Sequence, residues 1–189
     1  MALTAVVAIG VAFADAIGLG GGGPSASPGR NGTGVASSAG PTSFDPGDNP
    51  PIDGVSCDSL EQSGYHLHAH LTVRIEGAFR SIPANIGIHD TCLYWLHTHR
   101  DSGIMHVEAP AEQAFTLGDF FDVWGQSLSE EQVLDRRLDP NEHVYGFVNG
   151  QPFEGDPRTI VLTDLLSIEI QVGTAPLEPL PFEFPADFL

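Results

Sequence analysis

Residues 66–75 read His-Leu-His-Ala-His-Leu-Thr-Val-Arg-Ile, a strict alternation that constrains this segment more than any other in the chain. Leu67, Ala69, Leu71, Val73 and Ile75 form one set, and His66, His68, His70, Thr72 and Arg74 form the other. Successive side chains point to opposite faces of a strand, whereas a helix would spread both sets around its circumference. The segment is therefore a strand with one face buried. Its polar face is unusual. Three imidazoles at i, i+2 and i+4 point the same way, about 6.5–7 Å apart.

That face is not isolated. Seven of the eight His in the 189 residues lie between His66 and His106, where ordinary composition would put roughly one. His97 and His99 repeat the i, i+2 spacing at the end of the aromatic run Cys92–Thr98, and His106 and Glu108 repeat it within Gly103–Glu108. An i, i+2 imidazole pair on a strand chelates one ion, and a neighbouring strand supplies the remaining ligands. The candidate metal ligands are His66, His68, His70, His97, His99, His106 and Glu108. Such a donor set suits Zn, Cu(II), Fe(II) or Ni, and an exported setting favours Cu or Zn. Alternation turns Met105 away from the imidazoles, and His89 and His143 read as ordinary single His. Three other readings stand beside the metal: hydrogen-bonded core His, a pH switch made of crowded imidazoles, and catalysis without a metal.

The charge balance agrees with a cation partner. There are 25 acids against seven bases, all Arg, for a net charge of −18. This argues against nucleic acid and anionic membrane surfaces as partners. Of the 25 acids, 22 lie from Asp53 onward. Their field should concentrate cations and raise His pKa values, so that binding weakens as pH falls.

Residues 1–19 are almost wholly apolar and read as a signal peptide or membrane anchor, with Ala12-Phe13-Ala14 as a cleavage pattern. A buried N-terminal element is the other reading. Residues 20–51 form a linker in which 20 of 32 residues are Gly, Pro or Ser. A His-rich domain then spans 52–173, and a Pro-rich extended tail spans 174–189. Export makes a Cys57–Cys92 disulfide the leading reading over two buried thiols, closing a loop of about 35 residues. Together these place the chain outside the cytoplasm, secreted or membrane-anchored. Membrane attachment would run through residues 2–19, and self-association through that run and the Phe-rich tail.

Further strands are expected over 79–83, 92–98, 103–108, 144–148, 160–162 and 167–172. Thr116 should cap a helix over 117–126, and a second, short helix is expected within 129–139, stopped by Asp139-Pro140. Asn149-Gly150 signals a hairpin turn. The fold class is α+β, a mixed sheet with one main packed helix, β-grasp-like in outline. A β-sandwich with an inserted helix is the alternative.

The segments His66–Leu71, Ile82–Ile88, Cys92–His99, Gly103–Glu108 and Phe115–Trp124, taken as a set, resemble a family of small, His-rich, exported or membrane-anchored prokaryotic proteins without an assigned activity. The resemblance covers about residues 55–175 and implies one coherent domain. In that family an Asp commonly follows the His-Thr-His triplet. Here Arg100 intervenes before Asp101, which weakens Asp101 as a ligand.

Three function classes follow. The first is a module that sequesters, delivers or is stabilised by a transition metal. The second is a metal-dependent enzyme in which three His leave an open position and Glu108 acts as ligand or base. The third is a structural subunit assembling through its apolar N-terminal segment. Nucleophile-elbow, H-E-x-x-H, Walker and Rossmann patterns are all absent.

Overall fold

The computed structural model describes residues 49–188. The apolar run 1–19 and nearly all of the 20–51 linker lie outside the described residues. Among the described residues, no helix is long and apolar enough to cross a membrane.

The strands are β1 (Cys57–Asp58), β2 (Tyr65–Ile75), β3 (Ala78–Arg80), β4 (Leu93–Tyr94), β5 (Leu96–His97), β6 (Ile104–Ala109), β7 (Gln132–Val133), β8 (Arg136–Arg137), β9 (His143–Val148), β10 (Gln151–Phe153) and β11 (Leu166–Gly173). The helix α1 spans Leu117–Trp124. Seven strands form one mixed sheet in the order β10-β9-β11-β2-β6-β5, with β3 also paired to β2. At its centre β2 and β11 run parallel, with Leu71 opposite Ile168, and all other pairings are antiparallel. A central parallel pair flanked by antiparallel strands, with one helix packed on the core, is the expected β-grasp-like outline. The sandwich alternative needs two packed sheets. Here the other ladders, β1 with β4 and β7 with β8, are only two residues per strand.

The alternation in β2 is realised as expected. Leu67, Ala69, Leu71, Val73 and Ile75 join Met105, Val107, Ile168 and Ile170 in one core. The helix closes that core with Leu117, Phe120 and Phe121, all fully buried. Thr116 starts α1 through a capping box, its side chain accepting from Asp119 N while Asp119 accepts from Thr116 N. Gly125 ends α1 in the left-handed conformation. The hairpin turn at Asn149-Gly150 has positive φ at both residues (49° and 75°), as a type I′ turn requires.

Three local expectations are corrected. Residues 129–139 form no helix. Ser129 Oγ accepts from Glu131 N and Gln132 N, and Leu134 sits at φ 53°, so the chain turns back between β7 and β8. The run 92–98 is not one strand. It breaks at Trp95, so that β4 pairs with β1 and β5 joins the main sheet. Residues 160–162 contribute only a bridge between Thr116 and Val161.

The opposite face of the sheet, away from α1, is covered by the tail. Arg74 pairs with Glu169 in a nearly dry setting, their side chains 8% and 5% exposed. Glu169 also accepts from Leu180 N (2.8 Å), and Gln171 exchanges hydrogen bonds with the backbone of Leu177 (2.8 and 3.1 Å). Arg74 donates to Glu178 O (2.7 Å). These bonds tie the Pro-rich segment along the polar face of β2 and β11. Phe182 stacks flat on His70, ring centroids 3.3 Å apart, and Phe188 reaches His68 at 4.6 Å.

Candidate metal centre

The site is a consequence of register. On the face opposite the core, His97 of β5 is opposite His106 of β6, and His106 is opposite His68 of β2. One step along, Glu108 is opposite His66. Neighbouring strands stand about 4.7–4.9 Å apart, so three strands bring their rings into one patch. Alternation sends Met105 into the core opposite Ala69.

Two groups of side chains offer ligand atoms within 4.8 Å of one another: His97, His99, His106 and Glu108, and next to them His66, His68 and His106. His97 Nε2 and His99 Nε2 are 3.2 Å apart, and His66 Nε2 and His68 Nε2 are 3.0 Å apart. Four ligands about 2.0–2.1 Å from one tetrahedral ion stand roughly 3.3–3.4 Å from each other. Glu108 lies among them: Oε1 is 3.3 Å from His66 Nε2 and 3.6 Å from His106 Nδ1, and Oε2 is 3.9 Å from His97 Nε2. Glu108 Oε2 and His106 Nδ1 are buried and have no hydrogen-bond partner. Unsatisfied buried polar atoms converging from two residues are costly unless something is bound between them.

The surroundings hold the ligands in place. His97 is fully buried and its Nδ1 is 2.9 Å from Tyr94 O. A carbonyl only accepts, so Nδ1 carries the proton and Nε2 is left bare toward the cluster. Thr98, also fully buried, donates from Oγ1 to Pro83 O (2.8 Å) and accepts from Ile86 N (3.1 Å). This pins the loop after β3 to the His97–His99 segment. Trp95 Nε1 donates to Asp58 Oδ2 (2.7 Å), and the Cys57–Cys92 disulfide, with Cα atoms 5.4 Å apart, fastens β1 beside it.

Burial sets the charge state. It pushes His97 down to about 4 and His106 down to about 3, where neighbouring imidazoles add to the effect. His68 is lowered by burial and by His66. The expected rise in His pKa is therefore corrected. Desolvation of rings on the sheet outweighs the diffuse field of the acids, and His68, His97 and His106 are held toward the neutral, metal-binding form. Glu108 is raised, first by burial and then by Glu61, while His66 and His99 act the other way.

Six of the seven expected ligands, His66, His68, His97, His99, His106 and Glu108, fall in the two groups. His70 stands outside them, opposite Ile104 and under Phe182, with burial pushing it down to about 4. One residue was missed: Glu61, half-exposed in the loop before β2, places Oε1 3.4 Å from His99 Nε2. Nothing in its local pattern marks a lone loop Glu as part of the site. Beside the cluster a pocket of about 320 Å³ is lined by His99, His106, Arg100, Ile104, Pro185 and Phe188.

No protein-family model, curated protein or solved structure matches this chain.

Proposed function

We propose that this protein binds a transition-metal ion, Cu or Zn, through His97, His99, His106 and Glu108, and that it does so outside the cytoplasm. The observation that carries the reading is the convergence of three imidazoles and one carboxylate with ligand atoms within 4.8 Å of one another. Two of those residues, His106 and Glu108, carry buried atoms without a partner. The donor set is three imidazoles plus one carboxylate, with both Cys occupied in a disulfide, which suits Zn or Cu(II) rather than a thiolate-bound ion. The disulfide is consistent with an oxidising compartment, and the apolar run 1–19 and the motif resemblance to exported proteins support the same location. The role is sequestration, delivery or structural support by the ion.

A metal-dependent enzyme is the second reading. It is favoured by the pocket of about 320 Å³ that opens on His99 and His106. A substrate there would meet a bound ion on one side and the apolar Ile104, Pro185 and Phe188 on the other.

Elemental analysis of the purified protein, repeated after His97→Ala and His99→Ala, tests the metal reading. Cu or Zn in the native protein that falls in both variants supports it. Metal content unchanged in both overturns the assignment.

A further inference from the structure

We infer that the cluster holds two metal ions rather than one, bridged by the carboxylate of Glu108. The inference rests on the metal-binding reading above and extends it. Two chelating pairs lie on either side of β6. His97 and His99 come from β5 and the residues after it, and His66 and His68 come from β2. In the sheet β6 runs between those two strands, so the pairs attach to backbones about 9.5 Å apart. Each pair already presents its Nε2 atoms at the spacing of one edge of a coordination tetrahedron, 3.2 Å and 3.0 Å. A single ion sits on one such edge and leaves the other pair as a hydrogen bond between two imidazoles.

The strand between the pairs carries the shared ligands. Glu108 turns its two oxygens in different directions: Oε1 toward His66 Nε2 and His106 Nδ1, Oε2 toward His97 Nε2. That is the geometry of a bridging carboxylate, and two-metal sites hold their ions about 3.5–4 Å apart. The first ion takes His97 Nε2, His99 Nε2 and Glu108 Oε2. The second takes His66 Nε2, His68 Nε2, His106 Nδ1 and Glu108 Oε1. Glu61 Oε1, 3.4 Å from His99 Nε2, closes the first ion from the rim once His106 serves the second. Each ion then has three donors from one tight group, His97, His99 and Glu108 or His66, His68 and His106, and a carboxylate oxygen beside it, of Glu61 or Glu108, as the fourth. Two carboxylates offset half of the added positive charge, and the chain's net charge of −18 favours the rest.

The test is a count and a coupling measurement on the full chain. Zinc binding by equilibrium dialysis is expected at two ions per chain in the native protein, and at one after His66→Ala with His68→Ala or after His97→Ala with His99→Ala. Copper(II) at the same stoichiometry is expected to give less paramagnetic resonance intensity than isolated ions, because the bridge couples the two spins. Glu108→Gln should restore that intensity. One zinc per chain, unchanged by the His66 and His68 substitutions, overturns the second ion and leaves the single-site reading standing. Neither zinc nor copper bound overturns both. Two coppers at full intensity in the native protein overturn the bridge. The native count and coupling need no variant to fold.

Discussion

His97 donates its Nδ1 proton to the carbonyl of Tyr94, three residues earlier, at 2.9 Å. The bond links the break in the aromatic run to the chemistry of the cluster. The chain leaves β4 at Tyr94, enters β5 two residues later, and in doing so presents a carbonyl that sets the tautomer of a fully buried imidazole. His97→Ala removes a ligand that the fold has already oriented. Loss of an outer partner of a ligand costs about 10–100-fold in metal affinity, so loss of the ligand itself should cost at least about 100-fold. Competition titration against a zinc chelator reads this. An affinity within threefold of the native protein would show that His97 does not ligate.

The metal-free protein should lose stability as pH falls from about 6.5 toward 4. His97 and His106 titrate near 4 and 3 in the fold but near 6.5 when unfolded. Across that window the unfolded chain binds more protons than the native one, so stability declines with falling pH. Glu108, whose pKa is raised, acts in the opposite sense and only nearer its own range, and His68 adds to the imidazole effect. Urea midpoints measured at pH 7.5 and 5 check this. A higher midpoint at pH 5 would contradict it.

Removing the disulfide by Cys57→Ala with Cys92→Ala opens a link between residues 35 apart in sequence. The chain-entropy model gives a loss of about 3–4 kcal/mol. Because β1 and β4 also carry Asp58 and Tyr94, which hold Trp95 and His97, metal affinity should fall with stability. Chemical denaturation and zinc titration, with and without the substitutions, separate the two effects.

The tail is held by buried charge. Glu169→Ala leaves Arg74 buried without its partner and frees Leu180 N, and breaking such a pair costs about 3–5 kcal/mol. Replacing both residues together, Arg74→Met with Glu169→Leu, should cost much less. Thermal melts of the single and double variants decide this, and equal losses would contradict the pairing.

Much of this is legible in the sequence. Alternation in 66–75 settles which residues of β2 face the core, and the same period keeps Met105 out of the cluster. The cap at Thr116 and the turn at Asn149-Gly150 are local chemistry and lie where the pattern puts them. What local pattern does not carry is adjacency. That β6 lies between β5 and β2, and so between the two His pairs, depends on pairing over distances set by the whole sheet. Glu61 and the Tyr94 carbonyl reach the site through loops and backbone that leave no periodic trace. In 129–139 the charged run suggests a helix, but Ser129 bonds the nearby backbone and Leu134 takes a left-handed turn, which a short segment without an apolar stripe does not resist.

X-ray absorption at the zinc edge of the zinc-loaded protein bears most directly on the account. It should show nitrogen and oxygen ligands at about 2.0–2.1 Å, outer-shell scattering from at least two imidazoles per zinc, and no sulfur shell. A shell of oxygen alone without imidazole scattering, or one containing sulfur, would contradict it.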